Sequence, residues 1–214
     1  MNMPFSSDQF FHVFELYNKA LFPIQILLVL IGFAGLLLLH TRLESRHKLL
    51  GAMLGGLWIW SGLVYHILYF SSINKAAFVF GGLFIVQGIL MLISVFKKRN
   101  LVFSVAGNHT RVFLAYFLIL FGLAIYPVIG YVVQPGILKI ISLGLPCPTT
   151  IFTFGFFLLA FKGFPRHLLI IPAIWSLIGT SAAINFGVYQ DVMLLISAVI
   201  GLFYLVRKSH EIVE

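Results

Sequence analysis

Residues 76–96 read AAFVFGGLFIVQGILMLISVF, 21 residues without one charged side chain. At about 1.5 Å per residue such a helix is roughly 30 Å long, the thickness of a bilayer's hydrocarbon core. Lys75 stands before the run, and Lys97, Lys98 and Arg99 stand after it. This pattern marks a transmembrane helix, and the chain repeats it. Comparable runs fall at about 21–39, 49–70, 112–133 and 168–188, with a shorter one at 192–206. A further run at 149–161 is short, and Pro146 and Pro148 interrupt what precedes it.

The whole chain agrees with its decisive stretch. Of 214 residues, 61% are hydrophobic and 9% are charged, against about 25% charged in a typical soluble domain. So few charges exclude an ordinary cytosolic enzyme and a disordered chain. Cys147 has no second cysteine to pair with, which excludes a disulfide scaffold. A net charge of +8 would suit a nucleic-acid binder. The basic residues instead sit in short clusters between apolar runs. The expected partner is the lipid bilayer, with no nucleic acid.

Those clusters count the spans. With seven, one side carries Arg42, Arg46, Lys48, Lys97, Lys98, Arg99, Arg111, Lys162, Arg166, Arg207 and Lys208, 11 of the 14 basic residues. The other side carries Lys19, Lys75 and Lys139. Dropping the fifth span would even the split. Positive residues collect on the cytoplasmic side. The expectation is therefore an all-α, polytopic transmembrane helical bundle of seven spans in one domain, residues 1–214. The fifth span is broken at Pro146/Pro148, the N-terminus lies outside and the C-terminus in the cytoplasm. No basic residue precedes Lys19, so a cleavable signal peptide is not expected.

Residues 6–20 predict a separate amphipathic helix. Ser6 and Gln9 fit a capping box, and Phe10, Val13, Phe14 and Tyr17 make one apolar stripe. It would lie in the outer interface or pack over the mouth of the bundle.

Read against this topology, the uncharged polar residues gather in the outer half. Gln25 opens the first span. Tyr65, His66 and Tyr69 end the second, Tyr126 and Tyr131 end the fourth, and Asn185 ends the sixth. Polar groups in lipid are costly, so this points to an outward-facing polar cavity. The plainer alternative is interfacial dressing, since aromatic and polar residues are common at membrane edges. Candidate ligand-binding residues are His66, Cys147, Thr149, Thr150, Asn185, Gln25, Tyr65 and Tyr69.

Pro146-Cys147-Pro148-Thr149-Thr150 is the sharpest local signal. Two prolines lack two N–H groups, so residues 144–147 are expected to be non-helical and Pro148 to open the helix. The free N–H groups of Thr149, Thr150 and Ile151 would then face outward, able to meet an anion or a carbonyl oxygen. A kinked re-entrant loop is the plainer alternative. Cys147 reads as a small buried residue, as a nucleophile with His66 as base, or as a soft-metal ligand with His66. His66 reads as a hydrogen-bonded interior histidine or a proton relay. Asp191 is expected to cap the last helix.

His40, His47, His109 and His167 flank basic residues, and no spacing demands a haem, a metal or another cofactor. No P-loop, Gly-x-Ser-x-Gly, His-Glu-x-x-His or paired CxxC occurs. Gly51, Gly55, Gly81, Gly82, Gly88, Gly179 and Ala183 predict close helix packing. Ile59-Trp60-Ser61 and Ile174-Trp175-Ser176 echo one another, an arrangement that resembles the three-one-three plan of sugar transporters.

Several segments together resemble a bacterial family of multi-pass membrane proteins classed as a domain of unknown function. They are Met3-Pro4-Phe5, Gln9-Phe10, Val13-Phe14, Tyr17-Asn18, Pro23-x-Gln25, Tyr65-His66 and the run from Pro146 to Thr153. Ile171-Pro172, Trp175, Ile178-Gly179 and Ala182-Ala183 complete the set. The resemblance implies a bacterial inner-membrane location and one full-length domain. It supplies no activity or ligand, although members are sometimes labelled permeases. The expectation is a small-solute permease or binding component. The alternatives are a membrane-embedded enzyme using Cys147 and His66, or a structural or assembly protein, of undetermined oligomeric state.

Overall fold

A computed structural model describes residues 5–98, 101–160 and 164–207. Every regular element among them is helical. Helix α1 runs Ser7–Leu21, and the expected capping box forms: the Ser6 N–H donates to Gln9 Oε1 at 2.9 Å and the Gln9 N–H to Ser6 Oγ at 3.2 Å. The chain turns at Phe22-Pro23, a cis peptide. Helix α2, Ile24–Leu38, leaves at 87° to α1.

Helix α3, Arg46–Trp60, continues as a π-helical stretch, Ser61–Tyr69. Helix α4, Ala77–Phe96, returns beside it. Small residues set that crossing: a Cβ on Gly88 would stand 2.5 Å from the Gly55 carbonyl oxygen, and one on Gly62 2.7 Å from that of Gly81. Gly51 meets Val95, and Gly179 meets Leu194 in the same way. Gly82 departs from expectation. A Cβ there would meet nothing within 4 Å, because it points away from the crossing.

Helix α5, His109–Leu120, passes through a second π-helical stretch, Phe121–Ile125, into α6, Tyr126–Val133. Helix α7 is Pro146–Leu158, α8 is Ile170–Phe186 and α9 is Val192–Arg207.

Four helical stretches are long and apolar enough to cross a membrane: Arg46–Ser72, Ala77–Phe96, His109–Val133 and Arg166–Phe186. A fifth joins them if α1 and α2 count as one bent span. Seven full-length spans are therefore not what the described residues contain. The hydropathy runs at 21–39, 149–161 and 192–206 correspond to helices of 15, 13 and 16 residues, too short to cover about 30 Å when straight. The run at 149–161 ends on Phe161, which lies outside the described residues, as do both chain ends and Met3-Pro4.

Helix α7 explains the shortfall best. Every residue in it except Cys147 is buried, so it is apolar on all sides because protein surrounds it on all sides. It packs on α5 and α9, and Trp58 of α3 donates its indole N–H to Thr153 Oγ1 at 2.9 Å. The peripheral helices differ. Leu37, Phe113, Val132 and Ile184 are among many large apolar side chains standing exposed on α2, α5, α6 and α8.

Candidate functional site

A cavity of about 420 Å³ lies at the end of the bundle where α1, the π-helical end of α3, the start of α7 and the end of α8 converge. Its walls are mostly aromatic: Phe10, Phe14, Phe70, Phe80, Trp175 and Phe186. Its polar corner is Tyr126, Cys147 and Asp191. The size and the few convergent polar groups match small-molecule sites in general.

Both π-helical stretches serve this cavity. A π turn adds a residue per turn and so re-aims the side chains that follow it. The first stretch carries Tyr65, whose ring stacks on Phe14 with centroids 5.5 Å apart. The second ends immediately before Tyr126, whose hydroxyl donates to Asp191 Oδ1. Both partners are buried, Tyr126 at 0% exposure and Asp191 at 1%. The Cys147 thiol lies against the same pair and beside Trp175.

Helix α1 covers the chamber. Phe10 stacks on Phe186 with centroids 4.5 Å apart, and Phe5 on the same ring at 5.3 Å. Tyr17 accepts from the indole N–H of Trp60 at 2.8 Å and so pins the far end of α1 to α3. Of the two placements open to this helix from its stripe, it takes the one over the mouth.

The first turn of α7 differs from expectation. The helix begins at Pro146, not Pro148, so Pro146 and Cys147 are helical. The first turn of any helix has no intrahelical use for its N–H groups, and both prolines fit there without loss. The Thr149 N–H is not free, since it donates to Leu145 O at 3.2 Å. Thr149 Oγ1 accepts from the Gly144 N–H at 3.0 Å, and Thr150 Oγ1 donates to Pro146 O at 2.8 Å. Both threonines are fully buried and satisfied locally.

Of the eight candidate residues, Cys147 and Tyr65 line the chamber. His66 is fully buried with neither ring nitrogen partnered, packed against Phe84 at 4.8 Å and Trp175 at 5.0 Å between centroids. It does not line the cavity, and Trp175, which does, packs against it. Asn185 is exposed and donates to Ser181 O at 2.7 Å, one turn back on its own helix. Gln25 donates to Asn18 O at 3.0 Å and holds the end of α1. Tyr69 packs edge-on against Tyr17 at 5.5 Å. The expected shared cavity of His66, Cys147 and Asn185 is thus replaced by one that joins Cys147 to Tyr126 and Asp191.

Asp191 is the site residue that sequence reasoning misplaced. It reads as a helix cap because it precedes an apolar run, yet its carboxylate turns inward to Tyr126. The available signal was its isolation, as a carboxylate between two apolar helices with no basic neighbour in sequence. Among the described residues no group of three or more His, Cys, Asp or Glu side chains converges as a metal site.

No curated protein and no solved structure matches the chain. A family model does match, over residues 7–212, which takes in every element of the fold from α1 to α9 and the aromatic chamber apart from Phe5. The chain belongs to the family of unknown function DUF6064.

Proposed function

We propose that this chain is a multi-pass protein of the bacterial inner membrane that takes a small, mostly apolar solute into the aromatic chamber, as a permease or binding component. The chamber faces the outside, the N-terminus lies on that side and the C-terminus in the cytoplasm. The chain passes through the bilayer seven times, with α2, α7 and α9 as short traverses. Three features support this. Exposed apolar side chains on the peripheral helices suit lipid better than water. Among the described residues Arg46 and Lys48 open α3 and Lys97 follows α4, at the ends of those helices away from Tyr65 and Ala76, which line the chamber. The short α7 is wrapped in protein, where a helix too short to span by itself is tolerated.

The single observation that carries the functional part is the aromatic chamber with one polar corner. Packing alone gives no reason to leave about 420 Å³ unfilled beside a buried carboxylate, since interiors are close-packed. The test is uptake in proteoliposomes across a panel of small apolar solutes. Saturable uptake that Cys147→Trp abolishes, with insertion intact, supports the proposal. Absence of both saturable uptake and saturable binding overturns it. Catalysis through a Cys147–His66 pair draws no support from the geometry, because His66 lies outside the chamber, packed against Trp175.

A further inference from the structure

We infer that the solute is a cationic amine carrying an apolar body, and that Asp191 is the residue that binds its ammonium group. The inference rests on the chamber being a binding site. It names what the site takes.

Three observations converge. Asp191 lines the chamber and is nearly inaccessible, at 1% exposure. Its neighbours are neutral: the Tyr126 hydroxyl donates to it and the Cys147 thiol lies beside it. Among the described residues no lysine or arginine lines the chamber. The lysines at that end are engaged or turned away. Lys139 pairs with Glu15 at 3.5 Å, Lys75 sits 6.0 Å from the centre of the Phe78 ring, and Lys19 is exposed. A buried carboxyl group is held ionised only beside a cation, and among the described residues none stands at this place. The ligand then supplies the charge.

The walls point the same way. Rings of Phe14, Tyr65, Phe70, Phe80, Trp175 and Phe186 surround the space. Aromatic faces are negative and attract a positive group brought near them, the more so away from water. An anion would meet negative ring faces and the Asp191 carboxylate together. A neutral solute would leave the carboxylate without a counter-charge. The remaining volume is apolar and accepts a hydrocarbon or aromatic body. The indole N–H of Trp175, beside the Cys147 thiol, adds a second anchor for a ligand whose body carries an acceptor oxygen.

The test uses the full-length protein in nanodiscs of zwitterionic lipid and three probes with one body and different heads: phenylpropylamine, phenylpropanol and phenylpropionate. Binding is read by calorimetry, with tryptophan fluorescence as a check on the Trp175 wall. The amine is expected to bind about tenfold more tightly than the alcohol, with the carboxylate weakest. Asp191→Asn should reduce the amine to the alcohol's affinity. The head-group comparison needs no variant, so a misfolded Asp191→Asn leaves it decisive. Equal binding of alcohol and amine overturns the cation assignment while the chamber survives as a binding site. Tighter binding of phenylpropionate overturns it too. No binding of any probe, with Cys147→Trp changing nothing, overturns the chamber reading itself.

Discussion

The hydroxyl of Tyr126, at the head of α6, donates to the carboxylate of Asp191, 65 residues further along the chain. Neither side chain reaches solvent, and together they close the floor of the aromatic chamber. Tyr126→Phe removes the donor and leaves the buried carboxylate short of a partner. A loss of about 1–3 kcal/mol in stability is expected. Thermal unfolding in detergent should show a lower midpoint for Tyr126→Phe than for wild type. The same change made on Asp191→Asn should cost less, since the pair acts as a unit. Equal costs in both backgrounds would show that the bond contributes nothing.

The α3–α4 crossing predicts opposite fates for two glycines of α4. Gly88→Ala drives a methyl group to within 2.5 Å of the Gly55 carbonyl oxygen, a backbone atom that cannot swing aside. Separation of the helices and a loss of about 1–3 kcal/mol follow. Gly82→Ala meets nothing within 4 Å and should be neutral or slightly stabilising, because alanine favours the helix. Parallel unfolding curves for the two variants check this, and similar destabilisation of both would contradict it.

Helix α1 lies across the chamber, with Phe10 and Phe14 in its wall. Phe10→Ala and Phe14→Ala should open a way to Cys147. The chain has no other cysteine, so the rate of thiol modification by a small methanethiosulfonate reports on this residue alone. A rise of several-fold is expected over wild type. An unchanged rate would mean that reagent reaches Cys147 by another route.

Orientation is open to the same chemistry. On a Cys147→Ser background, Gln134→Cys should react with an impermeant maleimide in intact cells. Ala106→Cys should react only after permeabilisation. The reverse pattern would invert the proposed topology. Reporter fusions at residues 2 and 214, both beyond the described residues, provide an independent check.

Much of the architecture was legible because it depends on local patterns. The Ser6–Gln9 capping box is a two-residue signal and it forms. The four long helices follow from runs of apolar residues too long for anything else. Helix α7 was harder, because prolines at 146 and 148 look like an interruption but are harmless in a first turn. Hydropathy also cannot distinguish a helix wrapped in protein from one wrapped in lipid. The π-helical stretches at Ser61–Tyr69 and Phe121–Ile125 carry no sequence signature, so the side chains they re-aim could not be assigned to faces. That is why His66 and Cys147 read as partners. The pairing of Tyr126 with Asp191 joins two distant helices and became visible only in three dimensions.

A helix whose every face is sheathed by its neighbours has an awkward birth. Helix α7 is 13 residues long, and among its packing partners is Gly201 of α9, which leaves the space that the Phe154 ring occupies. While the ribosome is still making α8 and α9, the part of that sheath they supply does not exist. The segment then has neither the length to rest stably in lipid nor the companions to leave it. It must wait, shielded by the translocation machinery or by α5, until the last helix arrives. Chains cut short before Val192 should therefore be cleared by quality-control proteases instead of accumulating as a smaller bundle.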